Sequence, residues 1–79
     1  MFRPNTSNEE CHAAAIARSV RKRLGISQAE FSARYHVPIG TLRDWEQNRK
    51  QPDAPALAYL RVIAQEPVMV ARALRRRTA

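Results

Sequence analysis

The sequence predicts an all-α fold of five helices joined by short connections. Apolar residues recur at spacings of three and four, which is the period of a helix with one buried face. β-branched residues never alternate with polar ones over a useful length, so strands are not indicated. Turn-forming residues separate the helical segments, among them Gly25, Pro38 and Pro67.

The length of 79 residues allows one domain. Residues 1–8 favour turns and are predicted to form a disordered tail, while residues 9–77 are predicted to form the helical domain. Cys11 is the single cysteine, which excludes an internal disulfide and suits a reducing compartment. No apolar stretch is long enough for a membrane span, and no signal peptide is indicated. We therefore expect a cytoplasmic protein without membrane contact, and dimerisation would help so short a chain.

The first predicted helix runs from about Glu9 to Leu24. Ser7 and Glu10 have the spacing of a capping box at its start, and Gly25 stands where a left-handed residue commonly ends a helix. One face of this helix collects apolar residues: Ala13, Ile16, Ala17, Val20 and Leu24.

The second predicted helix opens at Ser27, which forms a capping box with Glu30. Phe31 and Tyr35 are spaced to point inward, and His36 ends the helix. Both apolar side chains then lie on one face, as a short packed helix requires.

The third predicted helix starts at Pro38 or Ile39, since the proline forces the preceding residue into an extended conformation. Leu42 and Trp45 should face inward, and a polar loop follows over Gln47–Pro55. Two short helices joined by a tight turn can place the second one in the major groove of DNA.

The last two predicted helices are separated by Pro67. Asp53 is a plausible N-cap for helix four, with Pro55 in its first turn. The run Arg75–Arg77 closes the chain at a helix end, where positive charge is favourable. Their apolar sides comprise Leu57, Leu60, Ile63 and Ala64, and then Val68, Val70, Ala71 and Leu74.

The charge balance indicates a polyanionic partner. Fourteen Lys and Arg residues stand against 7 Asp and Glu, for a net charge of +7 and a sequence pI near 11.1. Nucleic acid is the first such partner to consider.

Catalysis and metal binding are not predicted. Cys11, His12 and His36 lack a second ligand pair at metal-binding spacing. Ser27, His36 and Asp44 are residue types found in catalytic triads, but capping and turn roles already explain them. We expect no enzyme activity and no cofactor.

Three segments carry a resemblance to a known family. Leu24–Phe31 resembles the opening of the helix-turn-helix in lambda-repressor and Cro proteins, the XRE type, and Thr41–Pro52 resembles their recognition helix and following loop. Leu60–Pro67 is similar to a narrower branch of small antitoxins, of the HigA and MqsA kind, and their stand-alone relatives. The resemblance covers Val20–Leu74 and implies a lambda-repressor-like DNA-binding domain.

This sequence departs from the family pattern at three positions. His36 and Asn48 replace glycines, and Ser32 replaces an alanine. Histidine and asparagine tolerate a left-handed backbone better than most residues, so we expect both turns to survive.

The resemblance implies which residues read bases. Ile39, Gly40 and Asp44 match those positions: Ile39 for a thymine methyl group, Gly40 for close approach, and Asp44 for a cytosine amino group. Asp44 could equally pair with Arg43 or Gln28 in the free protein.

Phosphate contacts are expected around this helix. The resemblance implies one for Gln28 at the start of helix two, and Thr41 is expected to contact the DNA backbone. Arg43 could take guanine or, preferably, phosphate, while Arg49 and Lys50 fit phosphate clamps.

Two side chains near these positions have predicted structural roles. By the family pattern Glu46 should pair with Arg21 and hold helix three against helix one. Trp45 shares a face with Leu42 and should belong to the core.

The leading hypothesis is a sequence-specific transcriptional regulator that binds operator DNA as a homodimer. The resemblance favours the antitoxin of a type II toxin–antitoxin pair that represses its own operon. Alternatives are a stand-alone regulator without a toxin, and a protein-interaction adaptor that has lost DNA binding, suggested by Gly40 and Asp44 at base-reading positions. Helix five, with Val68, Val70 and Leu74, is the candidate dimer interface. Helix one or Phe2–Glu10 is the candidate surface for a cognate toxin.

Overall fold

The computed structural model of the protein describes the backbone of residues 6–75 and the side chains of residues 14–75. The predicted all-α class is confirmed, and the described residues contain no strand. No helix among them is both long and apolar enough to cross a bilayer. In chain order the helices are α1 (Thr6–Leu24), α2 (Gln28–Tyr35), α3 (Ile39–Glu46), α4 (Ala54–Gln65) and α5 (Pro67–Arg75).

Helix α1 begins earlier than the sequence predicted. It starts at Thr6 rather than at about Glu9, so Ser7 lies inside the helix and residues 6–8 are not part of a tail. The first four N–H groups of any helix lack intrahelical partners, so polar residues fit its first turn as readily as the position before it. The remainder of the predicted tail, residues 1–5, lies outside the described residues.

Helix α2 is bounded as predicted. Ser27 Oγ accepts from the Glu30 N–H at 3.0 Å, and Glu30 Oε1 accepts from the Ser27 N–H at 2.8 Å, which completes the capping box. His36 ends the helix with a left-handed φ of 60°. Pro38, extended at φ −54° and ψ 137°, precedes α3 and redirects the chain. These local restrictions form the helix-turn-helix.

One core joins all five helices. The rings of Phe31 and Tyr35 pack with centroids 4.9 Å apart, and Trp45 is buried as predicted. The Tyr59 hydroxyl donates to Tyr35 O at 2.7 Å, and the Tyr35 hydroxyl donates to Pro67 O at 2.9 Å. Two tyrosines therefore tie α2 to α4 and α5. The buried cluster comprises Ala17, Val20, Phe31, Tyr35, Val37, Leu42, Trp45, Leu60, Ile63 and Ala71.

Only part of the predicted apolar side of helix α5 packs against the core. Ala71 is buried, and Val70 and Leu74 are partly buried against the core. Val68 is 63% exposed and its neighbour Met69 is 58% exposed. Two of the three residues predicted to form a dimer interface thus pack within their own chain, because the helix is amphipathic toward α2 and α4.

Candidate nucleic-acid interface

The outer side of α3 is open at its N-terminal end. Gly40 is exposed, and a Cβ placed there would meet no atom within 4 Å. Ile39 and Thr41 beside it are half-buried, and Leu42 faces the core. The first turn of α3 therefore presents a backbone surface that another molecule can approach closely.

The C-terminal end of α3 is held by a buried acid. Glu46, only 4% exposed, accepts from Arg21 Nε at 2.9 Å and from Arg21 Nη2 at 2.8 Å. The predicted pairing of Arg21 with Glu46 is therefore present. Hydrogen bonds to Glu46 raise the pKa of Arg21 above its ordinary value, although partial burial opposes the rise. The pair joins α1 to α3 and so fixes the angle at which α3 leaves the domain.

The same acid orients the residue that opens α2. Gln28 Nε2 donates to Glu46 Oε1 at 3.1 Å, and Gln28 Oε1 accepts from Arg43 Nε at 3.4 Å. Gln28 is half-buried, whereas Arg43 is exposed. The structure thus brings these two predicted DNA-contacting residues together on one flank of α3.

Sequence reasoning missed Arg18. Its Nη2 donates to the main-chain oxygen of Glu46, so this guanidinium caps the end of α3. A basic side chain one turn before Arg21 is the signal that could have found it, since residues three apart share a helix face.

The loop after α3 carries two cations that contact Asp44. Asp44 Oδ1 accepts from Arg49 Nε at 3.0 Å, and its Oδ2 lies 3.9 Å from Lys50 Nζ. The expected pairing of Asp44 with Arg43 or Gln28 is therefore wrong. Asn48, left-handed at φ 58°, turns the chain back so that the two cations return to Asp44.

Other predicted sites fall outside this surface. No group of three or more potential metal ligands occurs among the described residues. The side chains of Cys11 and His12, and those of the candidate toxin-binding segment Phe2–Glu10, lie outside the part that the structure describes, as do Arg76 and Arg77.

Comparison with known proteins identifies the family. A family model described as "Helix-turn-helix" matches residues 18–58, more than half of the chain. The chain belongs to the XRE-type helix-turn-helix family. The family is one of DNA-binding regulators and not of enzymes, in agreement with the prediction of no catalytic activity for this domain.

Two similar proteins extend the comparison. The crystal structure of an XRE-family-like helix-turn-helix protein from Agrobacterium tumefaciens is 56% identical, with a TM-score of 0.72, over 75% of this chain and 95% of the other. "Antitoxin HigA-2" of Vibrio cholerae serotype O1 is 31% identical over 49 residues, which cover 62% of this chain. The match spans only 47% of that relative's length.

Proposed function

We propose that this DNA-binding regulator is an antitoxin that represses its own operon by binding operator DNA with α3. The observation that carries the proposal is the arrangement around α3. Gly40 leaves the first turn of α3 open. Arg43 contacts the neutral amide of Gln28, and the cations Arg49 and Lys50 lie in the loop after α3. A helix that binds in the major groove needs to approach the bases closely at its centre and to have phosphate contacts at its edges.

Base contacts come from the outward residues of α3. Ile39 contacts a thymine methyl group, and Asp44 accepts a hydrogen bond from a cytosine amino group. Gly40, which has no side chain, lets the bases approach the helix closely. The side chains of Ile39 and Asp44 carry the sequence preference, and Gly40 provides the space for them to reach the bases.

Phosphate contacts come from the flanks. Gln28 and Thr41 contact the DNA backbone near the starts of α2 and α3, where the N-terminal amides of the helices also favour anions. Arg43, Arg49 and Lys50 supply the charge, and they make the affinity dependent on salt. The protein's net charge of +7 supports this division.

A homodimer matches a palindromic operator. Two copies would place their α3 helices about 34 Å apart, one turn of DNA. The exposed Val68 and Met69 of α5, rather than the packed Val70 and Leu74, are the apolar side chains available for such a contact.

The antitoxin role rests on the similarity to HigA-2 and implies a cognate toxin encoded nearby. A stand-alone regulator is the second candidate, since the match to HigA-2 spans only 47% of that relative's length. A neighbouring reading frame for a small basic protein that copurifies with this chain would decide for the antitoxin. Its absence would decide for the stand-alone regulator.

Titration of the protein against its own upstream promoter and a scrambled duplex, at low and physiological salt, tests the proposal. Promoter-selective binding that persists at physiological salt is expected. Equal binding to both duplexes, or a salt-independent affinity, would instead support a protein-interaction adaptor.

A further inference from the structure

Asp44 stands between the proposed base readers of α3 and the cations of the following loop. Its carboxylate is 3.0 Å from Arg49 Nε and 3.9 Å from Lys50 Nζ. The Asp44 side chain is 24% exposed, whereas those of Arg49 and Lys50 are 59% and 77% exposed. Both cations are therefore accessible to a phosphate group while they are held by an acid of the same chain.

The backbone keeps these three groups together. The N–H groups of Arg49 and Lys50 donate to Asp44 O at 2.8 and 3.4 Å, and Asn48 supplies the left-handed turn. Because the main chain is already ordered, forming the side-chain pairs restricts only side-chain torsions. The ion pairs consequently belong to the protein in the absence of DNA.

We propose that Asp44 is a displaceable counter-ion that selects against DNA unable to bind its carboxylate. This inference rests on the proposed function. Any duplex that brings phosphates to Arg49 and Lys50 breaks their pairs with Asp44 and leaves a carboxylate facing a polyanion. A cytosine at the facing position donates its amino group to that carboxylate and offsets the loss. Duplexes without such a donor leave the charge unpaired.

Arg43 provides the contrast within the same surface. Its Nε contacts the neutral amide of Gln28 rather than a carboxylate, so phosphate binding there displaces no acid. The penalty is therefore concentrated at the loop, where it weakens binding to wrong sequences more than to the right one. The correct duplex offsets the penalty with its cytosine contact, and the discrimination comes from the cost that the other duplexes bear.

Two variants with the same charge change separate this role from general electrostatics. Asp44→Asn and Glu66→Gln each remove one negative charge without changing side-chain size. Glu66 is exposed and follows α4, whose 12 residues separate it from the loop by about 18 Å. Fluorescence anisotropy gives the affinity of each variant for the promoter duplex and for a scrambled duplex at one salt concentration.

We expect Asp44→Asn to strengthen binding to the scrambled duplex about fivefold, the scale of an exposed ion pair, and Glu66→Gln to do so much less. Promoter binding by Asp44→Asn should not strengthen, so the promoter preference falls by at least that factor. Equal strengthening on both duplexes, or an effect no larger than that of Glu66→Gln, would overturn the inference.

A second background tests the counter-ion directly. With Arg49→Gln and Lys50→Gln in place, Asp44→Asn should strengthen binding to the scrambled duplex clearly less than it does in the wild-type background, because only the repulsion from phosphates remains. A gain as large as in the wild-type background would refute the pairing. If the wild type shows no promoter preference, the proposed function fails. The scrambled-duplex comparison in the two backgrounds still decides the counter-ion role. Thermal melting by circular dichroism verifies that each variant is folded.

Discussion

Replacing Glu46 with alanine tests how α3 is held against the domain. Glu46 is 4% exposed and accepts two hydrogen bonds from Arg21 and one from Gln28. Removing one partner of a buried ion pair typically costs about 3–5 kcal/mol, because the other charge is left without compensation. The Arg21 side chain is 23% exposed and regains part of its hydration. We therefore expect a loss of about 2–3 kcal/mol.

That loss is large for this chain. A domain of 79 residues has a free energy of unfolding of roughly 4–12 kcal/mol. The expected fall in Tm is roughly 10–20 °C. Urea unfolding followed by the fluorescence of Trp45, the single tryptophan and 9% exposed, measures the change directly.

A double-mutant cycle isolates the pair. Arg21→Ala and Glu46→Ala should be coupled by at least about 1 kcal/mol, as contacting charged residues are. Arg23→Ala is the matched control, since Arg23 donates to a carbonyl, Ala64 O, at 3.0 Å and is exposed. A coupling of Arg21 and Glu46 below about 0.5 kcal/mol would refute the reasoning.

Three further predictions address alkaline stability, DNA affinity and a turn. Burial raises the pKa of Tyr59 above its ordinary value. The stability that the neutral Tyr59 contributes to the folded state is therefore present below about pH 10 and is lost as the pH rises through the folded-state pKa. Tyr59→Phe removes the hydrogen bond to Tyr35 O and should lower the free energy of unfolding at pH 7 by about 1 kcal/mol. The urea midpoint of the variant should also fall less at alkaline pH than that of the wild type. An unchanged dependence of the midpoint on alkaline pH would contradict this. Arg43→Ala should weaken binding to promoter and scrambled duplexes equally and reduce the salt slope by about one, whereas a loss confined to the promoter would indicate base reading. Asn48→Gly should raise stability by about 0.5 kcal/mol, because φ is 58° there, and a lower Tm would argue against strain at this turn.

The helix boundaries from Ser27 onward followed from local patterns. The capping box of Ser27, the break at Pro38 and the N-cap at Asp53 all form as predicted. Each depends on atoms within four residues along the chain, so the sequence nearby is sufficient to predict it. The start of α1 was predicted three residues late, since Ser7 and Thr6 suit either a cap or a first turn.

The candidate site was only partly predictable. The Arg21–Glu46 pair was expected from the family resemblance, and the structure confirms it. The role of Arg18 was missed, and neither partner considered for Asp44 is the one that it contacts. Both errors concern which of several nearby charges a flexible side chain reaches, and that choice depends on how the chain folds back around it.

The sequence by itself determined the helical class, the turn between α2 and α3, and a surface of excess positive charge. Hydrophobic periodicity, capping and the dihedral limits of Pro38 and His36 act over a few residues, so they operate before any tertiary contact forms. Only the tertiary structure decided that Glu46 would join α1, α2 and α3, and that Asp44 would face Arg49 and Lys50. Those contacts need backbone positions set by packing and by the left-handed turn at Asn48, because a hydrogen bond tolerates an error of only a few tenths of an ångström.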